Sequence, residues 1–151
     1  MEFSEITKKY YEEKDWQDVD KAKSMVDLYV VAKRIIERMP KPMVGVCGPI
    51  ANGGLGSIEA NLNAFNETIK KLQKEGLSVF DQMPLEETMQ RLKGENDLSE
   101  LVESIQNDFY MPIFKSGVIS ALYFMRSWES SNGARWENKV AKELGIKIIY
   151  L

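Results

Sequence analysis

The 151-residue chain reads as an α/β protein: a parallel sheet of four to five strands flanked by helices, preceded by a helical extension. Three observations predict it. From Met43 onward, short apolar runs of β type alternate with longer segments of helical periodicity. Those runs are apolar and β-branched, as in strands covered by helices on both faces. The loops that follow Cys47 and Phe124 are rich in glycine, serine and asparagine, which suits the carboxyl edge of such a sheet, where ligands bind.

Taken in order, Glu5–Lys14 and Val19–Met39 read as helices, the second with Met25, Leu28, Tyr29, Ala32, Ile35 and Ile36 at helical spacing. Pro40 and Pro42 then separate residues 1–42, the extension, from an α/β domain over 43–151. The extension either covers the sheet or serves dimerisation. Met43–Cys47 is the first strand. After the loop Gly48–Gly56, Ser57 is an N-cap and Glu59 puts a negative charge in the first helical turn, although Ala60 leaves the capping box incomplete. That helix carries Leu62, Phe65, Ile69 and Leu72 on one face and stops at Gly76. Leu77–Phe80 is expected as the second strand, Pro84–Leu92 as a short helix, and Lys93–Asp97 as a polar loop. Leu98–Phe114 is helical, with Pro112 disturbing its last turns. Gly117–Phe124 is the third strand, Gly133–Leu144 a helix, and Ile146–Tyr150 the final strand.

Composition narrows the function classes. With 44% hydrophobic and 28% charged residues the chain resembles an ordinary soluble domain. Its net charge of −3, with basic residues dispersed among acidic ones, argues against a nucleic-acid polymer as partner. Charged residues through Met1–Trp16 argue against a signal peptide, and no apolar stretch is long enough for a membrane span. A single cysteine, Cys47, suits a reducing cytoplasm and reads as packing within its strand. No histidine and one cysteine leave no plausible zinc ligand set, and no cofactor motif stands out. Acid–base or covalent chemistry therefore falls to carboxylates, lysine, tyrosine or that cysteine.

Two segments carry candidate chemistry. In the loop after the first strand, Gly48, Ile50, Asn52, Gly53 and Gly54 offer backbone N–H groups to an anion, with a helix N-terminus behind them. Neither the Walker pattern nor a dinucleotide fingerprint is present, and a turn that needs positive φ explains the glycines equally well. The second segment is Trp128–Glu137. Here Glu137 stands in the first turns of a helix behind Ser131 and the small pair Gly133-Ala134, an arrangement that can present a carboxylate nucleophile; an exposed helix glutamate is the plain alternative. Asp108 is a second carboxylate, or a solvated helix residue. Trp128 and Trp136 could stack on a base, though core or interface packing accounts for them as well.

Together, Cys47-Gly48-Pro49-Ile50, Asn63 and Phe65, Gly76-Leu77-Ser78-Val79, Asp108, and Trp128–Glu137 with Ala141 and Gly145 resemble the nucleoside 2-deoxyribosyltransferase superfamily, which includes nucleoside 5′-monophosphate N-glycosidases. The resemblance covers 43–151 and implies a flavodoxin-like (Rossmann-like) sheet, cleavage of an N-glycosidic bond without metal or cofactor, and a homodimer or higher homo-oligomer. It implies that Glu137 attacks the anomeric carbon, as in retaining glycosidases, and that Asp108 contacts base or sugar and assists protonation of the leaving base. Ser131 stands where relatives acting on free nucleosides carry Asp and those acting on 5′-monophosphates carry Ser, since a carboxylate repels phosphate while a hydroxyl donates to it. The expected partner is thus a small nucleotide or nucleoside. Transfer of deoxyribose between bases, and a non-catalytic nucleotide-binding or sensing domain, are the alternatives. Gly45 departs from the family, which has tyrosine there against the nucleophile. Either another group such as Tyr123 positions Glu137, or catalysis is altered. Ser116 departs too, replacing an acidic residue of many relatives.

Overall fold

The computed structural model describes residues 1–151. They form two units: a sheet unit of Met1–Glu2, Pro40–Asp81 and Gly117–Leu151, and a helical unit of Phe3–Met39 and Gln82–Ser116.

In the sheet unit the strands are β1 (Met43–Cys47), β2 (Ile119–Phe124) and β3 (Lys147–Tyr150), all parallel in the order β1-β2-β3. The expectation of four to five strands is corrected to three. Leu77–Phe80 does meet the free edge of β1, but through one bridge, Val44 to Val79. Val44 N–H donates to Ser78 O at 2.8 Å and Phe80 N–H to Val44 O at 2.9 Å. The segment is too short for more: Gly76 turns into it at φ +90°, and the chain has left the edge by the helix starting at Met83. Two residues are also trimmed from the start of β2, whose pairing with β1 shifts register between Met43 and Val44, where the Ser120 hydroxyl donates to Met43 O at 3.1 Å.

Chain direction sets the layers. Helix α4 (Ile58–Lys74) carries the chain from β1 to the 77–80 edge, whereas α8 (Asn132–Leu144) carries it from β2 to β3, away from that edge. Right-handed crossovers running in opposite directions place their helices on opposite faces. The register fixes which residues each face receives. Val44 and Val46 align with Ala121 and Tyr123 toward α4; Gly45 and Cys47 align with Leu122 and Phe124 toward α8. The order reverses at β1, so its carboxyl end and that of β2 border the switch point.

In the helical unit, the expected pair Glu5–Lys14 and Val19–Met39 is redrawn as α1 (Glu5–Lys8), α2 (Glu13–Lys21) and α3 (Met25–Arg38). The break has a local cause: Ala22 leaves helical ψ at 136°, and the Ser24 side chain accepts from Asp27 N–H at 3.2 Å, restarting a helix. Buried Asp15 joins the two helices, 3.1 Å from Arg34 Nε and 2.5 Å from Arg38. Helix α5 spans Met83–Glu95. The expected single helix Leu98–Phe114 is instead α6 (Leu98–Ser104), a π-helical stretch Ile105–Tyr110, and α7 (Met111–Lys115). Pro112 has no N–H for the Asp108 carbonyl and its ring crowds that carbonyl; the wider π turn accommodates both.

Candidate functional site

Helix α8 begins where Ser131 leaves the 3₁₀ turn Trp128–Ser130. The Ser131 hydroxyl accepts from Ala134 N–H at 3.2 Å, and Arg135 N–H reaches Ser131 O at 3.0 Å, so Ser131 is the N-cap. It is buried at 6% exposure and Ala134 is fully buried, while Gly133 is exposed, and a Cβ there would meet only Ser131 Oγ, at 3.9 Å. Aromatic packing fixes the turn itself. Trp128 stacks on Tyr150 (5.7 Å between centroids) and meets Phe124 edge-on at 5.3 Å, which answers for its role as packing. Asn138, one turn beyond Ala134, donates to the Tyr150 hydroxyl at 3.1 Å and ties α8 to β3.

Glu137, on the second turn of α8 and half-buried, meets Cys47 at the end of β1, with Sγ 3.2 Å from Oε2. The thiol is the donor. Burial, and then the negative charge and hydrogen bond of Glu137, push the Cys47 thiol well above its ordinary value, so it stays protonated. Cys47 was expected only to pack; no local pattern signals the contact, because it spans 90 positions of sequence. Tyr123, the candidate replacement for the family's tyrosine, points to the α4 face and is not the group on Glu137. At Gly45 a Cβ would lie 2.8 Å from Leu122 Cδ2, and Leu122 is 1% exposed. Leu122 therefore occupies the room a side chain at 45 would take.

The glycine loop is braced from two sides. Asn61 on α4 is buried, accepts from Leu55 N–H at 2.8 Å, and donates to Ile50 O at 3.0 Å and Gly53 O at 3.1 Å. Ser130 accepts from Gly54 N–H at 2.8 Å, and Asn52 Oδ1 accepts from Asn132 N–H at 3.3 Å. Gly56 N–H bonds to Gly53 O at 3.3 Å. The structure thus brings Asn52, Gly53 and Gly54 up to the Ser130–Asn132 turn, while Ile50 is tied to Asn61 and Gly48 lies against Met125; Ser131, Gly133 and Ala134 stand at the head of the same helix as Glu137. The N–H groups of Gly54 and Leu55 already have acceptors, so an anion would have to use others. Both glycines are required where they stand: Gly53 has φ +68° with its Cα against Ser130, and Gly54 has φ +63° with a Cβ position 2.5 Å from Asn61 Oδ1.

Asp108 belongs to the helical unit, on the π-helical stretch, where the Ser104 hydroxyl donates to Oδ2 at 2.6 Å. Sequence reasoning passed over Asp81, a carboxylate only 4% exposed that directly follows Phe80 at the carboxyl end of the bridged edge segment. Its position behind a strand-like run was the available signal.

A parallel sheet with helices on both faces and loops joined across its carboxyl edge makes this an α/β protein of the open-sheet class. The family described as Domain of unknown function (DUF4406) matches residues 43–150, and the chain belongs to that family. Neither a curated protein nor a solved structure matches the chain. No helix is long and apolar enough to cross a membrane.

Proposed function

We propose that the protein cleaves the N-glycosidic bond of a nucleoside 5′-monophosphate and releases the free base. The observation that carries this reading is the Cys47–Glu137 contact at 3.2 Å: a carboxylate at the carboxyl edge, held by a buried donor. The resemblance of Trp128–Glu137 to the nucleoside 2-deoxyribosyltransferase superfamily supports it. So does a strand order that reverses at β1, as in a flavodoxin-like sheet.

In this mechanism a Glu137 oxygen forms a bond to C1′ as the C1′–N bond breaks. The electron pair of that bond goes to the base nitrogen, which takes a proton from a general acid. Water then attacks C1′, Glu137 leaves, and ribose or deoxyribose 5-phosphate is released. The hydrogen bond from Cys47 holds one carboxylate oxygen, Oε2, in place at the carboxyl end of β1. Ser131, whose hydroxyl can donate as well as accept, and the backbone of the exposed Gly133 are the groups at the helix start for a 5′-phosphate.

The test is to incubate the protein with ribo- and deoxyribonucleoside 5′-monophosphates and the corresponding nucleosides and to chromatograph for free base. Release from a monophosphate, lost in Glu137→Ala, is expected; full activity in that variant removes Glu137 from the mechanism. Gly45 favours one other reading, a nucleotide-binding domain without turnover. Thermal stabilisation by nucleotide without base release would support it. Adding an acceptor base and finding a new nucleoside would instead identify transfer.

A further inference from the structure

On the α4 face of the sheet, opposite Glu137, lies a cavity of about 590 Å³, within the range of small-molecule pockets. Ala64 and Leu72 of α4, Leu55 of the glycine loop and Met125 after β2 supply apolar wall, and Tyr123 stands at the sheet side. Two cations, Lys71 and Arg126, line the same cavity. Of the other cations of this unit, Lys70 pairs with Glu67 at 3.5 Å and Arg135 donates to Glu129 O at 2.6 Å, while Lys74, Lys142 and Lys147 are unpaired but do not line the cavity. Lys71 and Arg126 have no ion pair or side-chain hydrogen bond, and the half-buried Tyr123 hydroxyl has none either. One acidic side chain, Glu75, also lines the space, one turn beyond Lys71 at the C-terminal end of α4.

A third observation concerns the backbone. Ser127, at φ 65°, is the one non-glycine residue with positive φ, and it too lines the cavity. Such a conformation costs about 1 kcal/mol and persists where surroundings impose it, characteristically at binding sites.

We propose that this cavity is a second small-molecule site, for an amphipathic anion: a compact apolar body on Leu55, Ala64, Leu72 and Met125, with a phosphate, sulfonate or carboxylate held by Lys71 and Arg126. Two cations against the single carboxylate of Glu75 leave the lining side chains net positive, in a chain of net charge −3. The Tyr123 hydroxyl supplies a further polar contact within the recess. The site does not depend on the reading of Glu137, since no residue named for base release holds the anion.

The experiment uses 8-anilinonaphthalene-1-sulfonate, an apolar dye with one sulfonate, and the neutral N-phenyl-1-naphthylamine. The native full chain should bind one sulfonated dye saturably, with the neutral dye at least tenfold weaker. The double variant Lys71→Glu with Arg126→Glu should weaken sulfonated-dye binding at least tenfold with circular dichroism and Tm unchanged. Lys71→Met with Arg126→Met gives a smaller loss. Amide shifts on titration should centre on Thr68, Tyr123 and Met125. Glu137→Ala should bind the dye as the parent does. Absence of saturable binding, equal binding by the double variant, or loss of binding in Glu137→Ala would each overturn the proposal. Base release is measured separately, so either result can stand without the other.

Discussion

The two faces of the sheet differ in how far their polar groups are committed. Toward α8, Cys47 is bonded to Glu137, Ser131 caps the helix, and Asn52 and Ser130 brace the turn against the loop. Toward α4, Lys71, Arg126 and the Tyr123 hydroxyl face a cavity with no protein partner. The first arrangement is what the proposed chemistry requires, groups oriented before substrate arrives. The second is what the proposed second site requires, groups that keep their hydrogen-bonding capacity for a ligand. Motif density in sequence marked the first face and left the second unmarked, because an unpaired lysine on a helix looks the same in sequence whether it borders a cavity or solvent.

The comparison breaks most severely if Glu137 is not the nucleophile. Glu137→Ala should lower base release by about three orders of magnitude, read by single-turnover chromatography, while leaving dye binding on the α4 face intact. Asn61→Ala tests the element common to both faces, since Asn61 makes three hydrogen bonds that hold the loop. It should cost about 3 kcal/mol, measured by urea unfolding, and reduce both base release and dye binding. Cys47→Ala removes the donor on Glu137 and should slow release about tenfold, whereas Cys47→Ser retains a donor and should stay within a few-fold of the parent.

The same thiol has a pH signature. Its folded pKa is raised by burial and by Glu137, so its contribution to stability is complete below the unfolded thiol's pKa, about 8.5, and is lost as pH rises toward the folded value. Urea midpoints should therefore fall above that pH in the parent more steeply than in Cys47→Ala. Native protein should also resist iodoacetamide where unfolded protein reacts. Ser131→Ala should cost about 1 kcal/mol through the lost cap and raise the KM for a monophosphate more than it lowers kcat. Smallest of all, Tyr123→Phe should leave base release unchanged while weakening the sulfonated dye a few-fold; a loss of release would return Tyr123 to the Glu137 side.

Much of the sheet unit was legible because its signals are local. The apolar run Met43–Cys47, the Ser57 cap with Gly76 behind its helix, and the helix from Ser131 to Gly145 each declare themselves within a few residues. What escaped depends on partners distant in sequence or on competing local signals. Leu77–Phe80 has strand composition, yet one bridge is all the edge of β1 accommodates. Ser24 is a cap whose signal was overridden by apolar periodicity running across it, and Pro112 announced a disturbance without saying it would become a π turn around Asp108. At the candidate site, helix position marked Glu137, but its donor could not be read from sequence, since Cys47 and Glu137 meet only once β1 and α8 share a face.

The single bridge at Val79 also bears on where the sheet yields first. Its outer edge is held by two backbone bonds, from Val44 and Phe80, whereas β2 is paired along both sides. In amide exchange, the protons of the β2 ladder should be released only on global unfolding, and that of Phe80 by a local opening of lower free energy. Such an opening would free Asp81, the buried carboxylate next in the chain, without disturbing β1 and Cys47. The most sparsely bonded margin of the sheet thus carries an acidic group.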